Sequence, residues 1–141
     1  MVDALEEIHR VLAPRGILVD ARPDSRVPTL AELRKQRSFQ RYGLIGTHKL
    51  ELTMDRSSDL AIAEVVRNGL FRRRRAGRFF YRVPFETLAD LREYLWEHGR
   101  FMRRVKWVVD AKTRRLHANE PFAMRRGVRF EILERLSRDQ R

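Results

Sequence analysis

Cysteine is absent from the 141 residues. Disulfides and thiolate metal sites are therefore excluded, and a reducing compartment is permitted. No apolar run approaches the ~18 residues of a membrane-spanning helix. The amino terminus is acidic and amphipathic, which is not the pattern of a secretory signal. With neither span nor signal, the expected location is the cytoplasm. Glycine is sparse, at 16, 43, 46, 69, 77, 99 and 127, and no two form a G-x-G. A turn that carries backbone close against a nucleotide-like ligand therefore has no candidate. The closest pair, Gly43-Leu44-Ile45-Gly46, does not follow a predicted strand. H-E-x-x-H, nucleophile elbows and P-loops are also missing. The four histidines, 9, 48, 98 and 117, are dispersed. His48 has no cysteine or second histidine at ligand spacing. His9, near Glu6 and Glu7, reads as helix surface. No catalytic set and no metal site can be assembled.

What is abundant is arginine. Lysine and arginine number 31 against 19 acids, for a net charge of +12. Such a surface attracts polyanions, although arginine-rich composition also follows from a GC-rich genome. The 43% hydrophobic content is enough for a core, and this length predicts one domain. No internal repeat, low-complexity tract or linker interrupts it.

The most informative stretch is Val2 to Arg22, VDALEEIHRVLAPRGILVDAR. Val2, Leu5, Ile8 and Leu12 recur at helical spacing. Ala13-Pro14-Arg15-Gly16 stops that helix, because proline cannot continue it and glycine tolerates turn dihedrals. Ile17 to Ala21 is apolar apart from Asp20, as in a strand covered on both faces. Any α/β protein can contain such a unit. The spelling, however, resembles class I S-adenosylmethionine-dependent methyltransferases, which often carry ALxEIxRVLxPGGxLxxxD late in their domain. The matching residues are Ala4, Leu5, Glu7, Ile8, Arg10, Val11, Leu12, Pro14, Gly16 and Leu18. Arg15 departs from the family, which usually has glycine there.

The resemblance implies the helix before the fifth strand of that fold, then the strand itself. It implies an α/β architecture: a partial Rossmann-like sheet, mixed parallel and antiparallel, closed by an antiparallel hairpin. Asp20 and Arg22 would then lie on the substrate side of the sheet, since ligands bind at the carboxyl ends of parallel strands. A loop-capping Asp with a solvated Arg is the plainer reading of the same pair. The cofactor half of the family domain has no counterpart here. No S-adenosylmethionine is expected to bind this chain alone, and enzymatic activity stays open.

Arg22 to Pro28 reads as a loop by its prolines. Thr29-Leu30-Ala31-Glu32 spells a capping box, predicting a helix to about Tyr42 with Arg34, Lys35, Arg37 and Arg41 on its polar face. Gly43 to Thr47 would end it. His48 to Met54 alternates, predicting a half-buried strand. Asp55 to Ser58 supplies caps for a helix over about 59–71. Arg72, Arg73, Arg74 and Arg75 would then follow a helix carboxyl end, complementing its dipole or binding phosphates. Phe79 to Val83 reads as strand, near which Phe79, Phe80 and Tyr81 are core or part of a stacking surface. Thr87 with Asp90 opens another helix, ending at His98-Gly99. Residues 103–109 fit a strand or a helical continuation. Residues 128–132 alternate as a strand after Gly127, yet Phe122, Val128, Ile132, Leu133 and Leu136 also fit a helix; the family's closing hairpin implies the strand, and 137–141 reads as a frayed tail.

Three functional classes follow. One is a methyltransferase-like module without catalysis of its own, acting through interaction or oligomerisation. Another is a subunit of a split methyltransferase completed by a separate chain. The third is a basic nucleic-acid-binding domain. If the family sheet is present without its preceding strand, Ile17 to Ala21 leaves an open edge, and such edges recruit partners. A homo-oligomer or a complementing chain is the expected partner, and a chain that opens directly in a helix is what a truncated reading frame would give.

Overall fold

The computed structural model describes residues 1–47, 49–98 and 102–137. Its elements are α1 (Val2–Val11), β1 (Ile17–Pro23), β2 (Thr29–Lys35), β3 (Ser38–Thr47), α2 (Lys49–Arg67), β4 (Phe71–Phe85), α3 (Leu88–Glu97), β5 (Met102–Trp107), α4 (Ala111–Leu116) and β6 (Phe122–Arg135). The fold is mixed α and β. The strands join in the order β1-β6-β2-β3-β5, and β4 also pairs with β6. Every paired register runs antiparallel. The parallel pairs expected of a mixed sheet do not occur among the described residues. The chain groups into two compact units, Met1–Pro23 with Thr53–Phe79 and Val128–Arg141, and Asp24–Leu52 with Phe80–Gly127.

In the first unit, Leu5 of α1, Ala61, Ile62 and Val65 of α2, Phe71 of β4 and Leu133 of β6 form a buried cluster, with Ile8, Leu12 and Leu18 against it. The amphipathic stripe read from the sequence is thus the face that α1 buries. Between α1 and β1, Arg15 has φ 62°. That is the left-handed region, which glycine enters without the Cβ penalty. The turn therefore demands what the methyltransferase spelling supplies with a glycine.

α2 runs over 19 residues and begins where a strand was expected. The alternation of Leu50, Leu52 and Met54 is misleading, because all three are exposed. A strand there would have had no core to face, whereas these residues extend an existing helix at low cost. His48 lies outside the described residues. The helix ends at Gly69, not at the arginines. Gly69 has φ 70°, and the Leu70 N–H donates to the Val65 carbonyl, the six-to-one bond of a glycine-terminated helix. Arg72 to Arg75 consequently lie in β4, alternating between the faces of a strand, not at a helix carboxyl end.

The second unit holds the largest departure. Residues 29–42 are not a helix but most of a hairpin, β2 and β3, joined at Gln36-Arg37. Ala31 and Leu33 alternate toward the core and pair in register with Met124 and Phe122. Tyr42, Ile45, Leu88 and Leu91 complete that core. α3 was legible: Thr87 Oγ1 accepts from the Asp90 N–H, and the Asp90 carboxylate accepts from the Thr87 N–H. The turn of α4, capped by Asp110, was not expected. The closing strand was, though β6 is longer than the segment 128–132. The predicted tail lies outside the described residues from 138 onward, as does Gly99.

Gly43, expected to end a helix, sits inside β3. A Cβ there would come within 2.5 Å of Val105 Cγ1 and 3.1 Å of Trp107 Cε3. We therefore expect Gly43→Ala to destabilise by about 1–3 kcal/mol through overpacking. Urea unfolding measures it, and an unchanged midpoint would show that β5 does not lie against β3 in this register.

Candidate interaction surface

β1 stands at one end of the strand order, bonded to β6 alone among the described residues. Its residues alternate strictly. Leu18 joins the buried cluster under α1 and α2, while Ile17 and Val19 on the opposite face are 49% and 58% exposed. The apolar run therefore does not belong to a strand covered on both faces, as its spelling predicts. One face is covered and the other is open. Directly beside Ile17, Val19, Ala21 and Pro23 on that open face are Glu134, Ile132, Phe130 and Val128 of β6. Phe79 of β4 reaches the Phe130 ring, with centroids 6.4 Å apart. Gly77 leaves room for the same ring, since a Cβ would stand 2.8 Å from Phe130 Cζ.

Charge borders this apolar strip. Glu134 takes Arg72 at 2.9 Å, Arg74 at 3.3 Å and Arg15 at 3.4 Å. The hydrogen bond from Arg72 holds the Glu134 carboxyl below its ordinary range, against the opposing effect of burial, with the charges of Arg72 and Arg74 adding to it. Arg73 points the other way, to Glu131 at 2.6 Å. Arg75 lies 6.0 Å from the Phe130 centroid. The four consecutive arginines are therefore divided: three neutralise carboxylates of β6 and one borders an aromatic ring.

Asp20 and Arg22 are brought together, with Arg22 Nε donating to Asp20 Oδ2 at 2.7 Å. Arg22 also reaches Asp59 of α2 at 3.3 Å, and Arg129 of β6 pairs with the same Asp59. The result is a network tying two strands to a helix on the covered face of the first unit. Burial alone would raise the Asp59 carboxyl. The hydrogen bond and charge of Arg129, joined by those of Arg22, outweigh it and hold the group below its ordinary range. Asp59 and Arg129 were not singled out from the sequence. They lie 37 and 107 positions from Arg22, so only the fold assembles the set.

No protein-family model, curated protein or solved structure matches this chain. The surface must be read from its own residues. No group of three or more His, Cys, Asp or Glu among the described residues could hold a metal ion. Among the described residues no helix is long and apolar enough to cross a membrane. What the first unit offers is an apolar strip beside a strand edge that no described residue pairs, bordered by guanidinium groups.

Proposed function

We propose that this chain is a methyltransferase-like module that works by association and not by catalysis of its own. A further polypeptide strand adds at the β1 edge, its side chains lying beside Ile17 and Val19. The carrying observation is the terminal position of β1 with Ile17 and Val19 open to solvent. Three features support the methyltransferase part of the reading. The helix-turn-strand unit stands where the spelling puts it, and the turn needs a left-handed residue at Arg15. The closing strand β6 lies antiparallel between β1 and β4, as the family's closing hairpin would. Among the described residues β1 also has no neighbour on the side where the family's fifth strand has one. In a sheet completed at that edge by a parallel strand, the mixed architecture of the family would be restored.

A strand edge is self-complementary, so a second copy of the chain is the occupant available in a purified sample. Each copy carries +12, so association should strengthen as salt screens the repulsion. Sedimentation velocity tests this. Wild type should self-associate with increasing concentration, and Val19→Lys should shift it to monomer while circular dichroism stays the same. A monodisperse wild-type monomer at high concentration would overturn the reading.

The absence of any G-x-G favours a second version, in which the occupant is a separately encoded chain that holds S-adenosylmethionine. In both versions the present chain binds no cofactor alone. Calorimetry with S-adenosylmethionine should give no heat of binding, and tight stoichiometric binding would refute both.

A further inference from the structure

The second unit has one sheet face buried under α3; on the other, Glu32 and Ala123 are buried while Arg34, Phe39, Arg41 and Phe80 are exposed. Ala31, Leu33, Phe122 and Met124 face the core. Their neighbours in sequence therefore face the other way, because side chains alternate along a strand. On β2 these are Leu30, Glu32 and Arg34. Arg125 of β6 lies directly opposite Leu30, and Ala123 opposite Glu32. On β3, Arg41 lies opposite Glu32 and Phe39 opposite Arg34. From β4, Arg82 reaches both Glu32, at 2.7 Å, and the Phe39 ring, at 4.0 Å from its centroid. Phe80, two residues earlier on the same strand face, lies under Arg125, whose guanidinium carbon is 3.9 Å from the ring centroid.

Two aromatic rings, each layered with a guanidinium, thus stand on one partly exposed sheet face. Phe39 and Phe80 remain 39% and 45% exposed. Arg34 and Arg41 beside them are exposed and take part in none of the ion pairs of the described residues. Arginine–phenylalanine layers alone could serve stability. They do not account for two further solvated cations flanking exposed rings on the same face.

We propose that this face binds single-stranded nucleic acid. Bases stack on the Phe39–Arg82 and Phe80–Arg125 layers, and Arg34 and Arg41 meet the phosphates. Stacking on aromatic and guanidinium planes needs bases that are unpaired, which selects a single strand over a duplex. The Arg72 to Arg75 run, the obvious polyanion candidate in the sequence, is not part of this site. Its arginines belong to the first unit, where three of them face Glu131 and Glu134.

Fluorescence anisotropy with a labelled mixed-sequence DNA or RNA single strand of about ten nucleotides tests the proposal. Phe39→Leu and Phe80→Leu should each weaken binding roughly tenfold, a loss within the range of one base–aromatic stack. Arg34→Gln and Arg41→Gln should each make the dependence of affinity on salt shallower, by about one counterion. The wild type should prefer the single strand to the same sequence as a duplex, a comparison that requires no variant. Equal affinity for the duplex, or displacement of the oligonucleotide by polyglutamate as readily as by unlabelled single strand, would overturn the proposal in favour of a plain polyanion surface. So would retained affinity in both phenylalanine variants with circular dichroism unchanged. Nucleic-acid binding should weaken with salt whereas self-association should strengthen. Val19→Lys should leave the former intact, so each reading can fail without the other.

Discussion

Phe122→Ala should cost about 4 kcal/mol, within the range for removing a fully buried aromatic side chain. Phe122 is 1% exposed and meets the Tyr42 ring edge-on, with centroids 5.4 Å apart. It pairs in register with Leu33. Truncation would leave a cavity lined by Leu33, Tyr42 and Leu91, elements from two strands and a helix that cannot all close on it. Urea unfolding by circular dichroism reads the loss. The experiment also decides between the two readings of residues 29–42. If that segment were the helix its capping box suggests, Phe122 would have no partner strand at Leu33. A cost below about 1 kcal/mol, the scale of a surface substitution, would favour that helix.

Asp59→Asn should cost about 2 kcal/mol at neutral pH, on the scale of charge-assisted hydrogen bonds lost to partly buried arginines. The sign of its pH dependence follows from the lowered carboxyl. A carboxyl held below its unfolded value stabilises the fold above the ordinary carboxylate range, and that stability is lost as pH falls through the folded value. Wild type should therefore lose stability on acidification below about pH 4, and the variant should lose less over the same window. Glu134, also held low, keeps titrating in the variant, so the profile flattens without vanishing. Unfolding free energies measured from pH 7 to pH 3 supply the comparison. Parallel profiles for the two proteins would mean that Asp59 is not ion-paired with Arg22 and Arg129.

The same network bears on Asp20 and Arg22. The resemblance implied a substrate edge for them. Their side chains meet each other and Asp59 on the helix-covered face. Arginine on that face of β1 does what a long cation does in an interior with acids on the neighbouring helix: it bridges elements. The surface proposed for association is carried by the other parity of the same strand, Ile17, Val19 and Ala21. Reading β1 as doubly covered hid this, because an apolar run says what a strand can bury and not whether anything is there to cover it.

Local signals determined α1, the turn after Leu12, β1 and the capped start of α3, and these were legible without a structure; for the closing strand the residues fitted strand and helix alike, and only the resemblance favoured the strand. In each of the legible elements, the deciding interaction lies within about four residues: a stripe at helical spacing, a proline beside a left-handed turn, the Thr87–Asp90 exchange. Where two periodicities fit the same short segment, the tertiary structure decided. Thr29 to Tyr42 carries a capping box and a thin helical stripe, yet the backbone partners offered by β6 and the burial of Ala31 and Leu33 outweigh one helix cap. Lys49 to Met54 alternates, yet among the described residues no strand pairs with it, and the helix formed with the following residues absorbs it. The pairing of Asp59 with Arg22 and Arg129, and of Phe39 with Arg82, joins residues tens of positions apart. Sequence spacing carries no trace of such contacts, because it is the strand register that sets them.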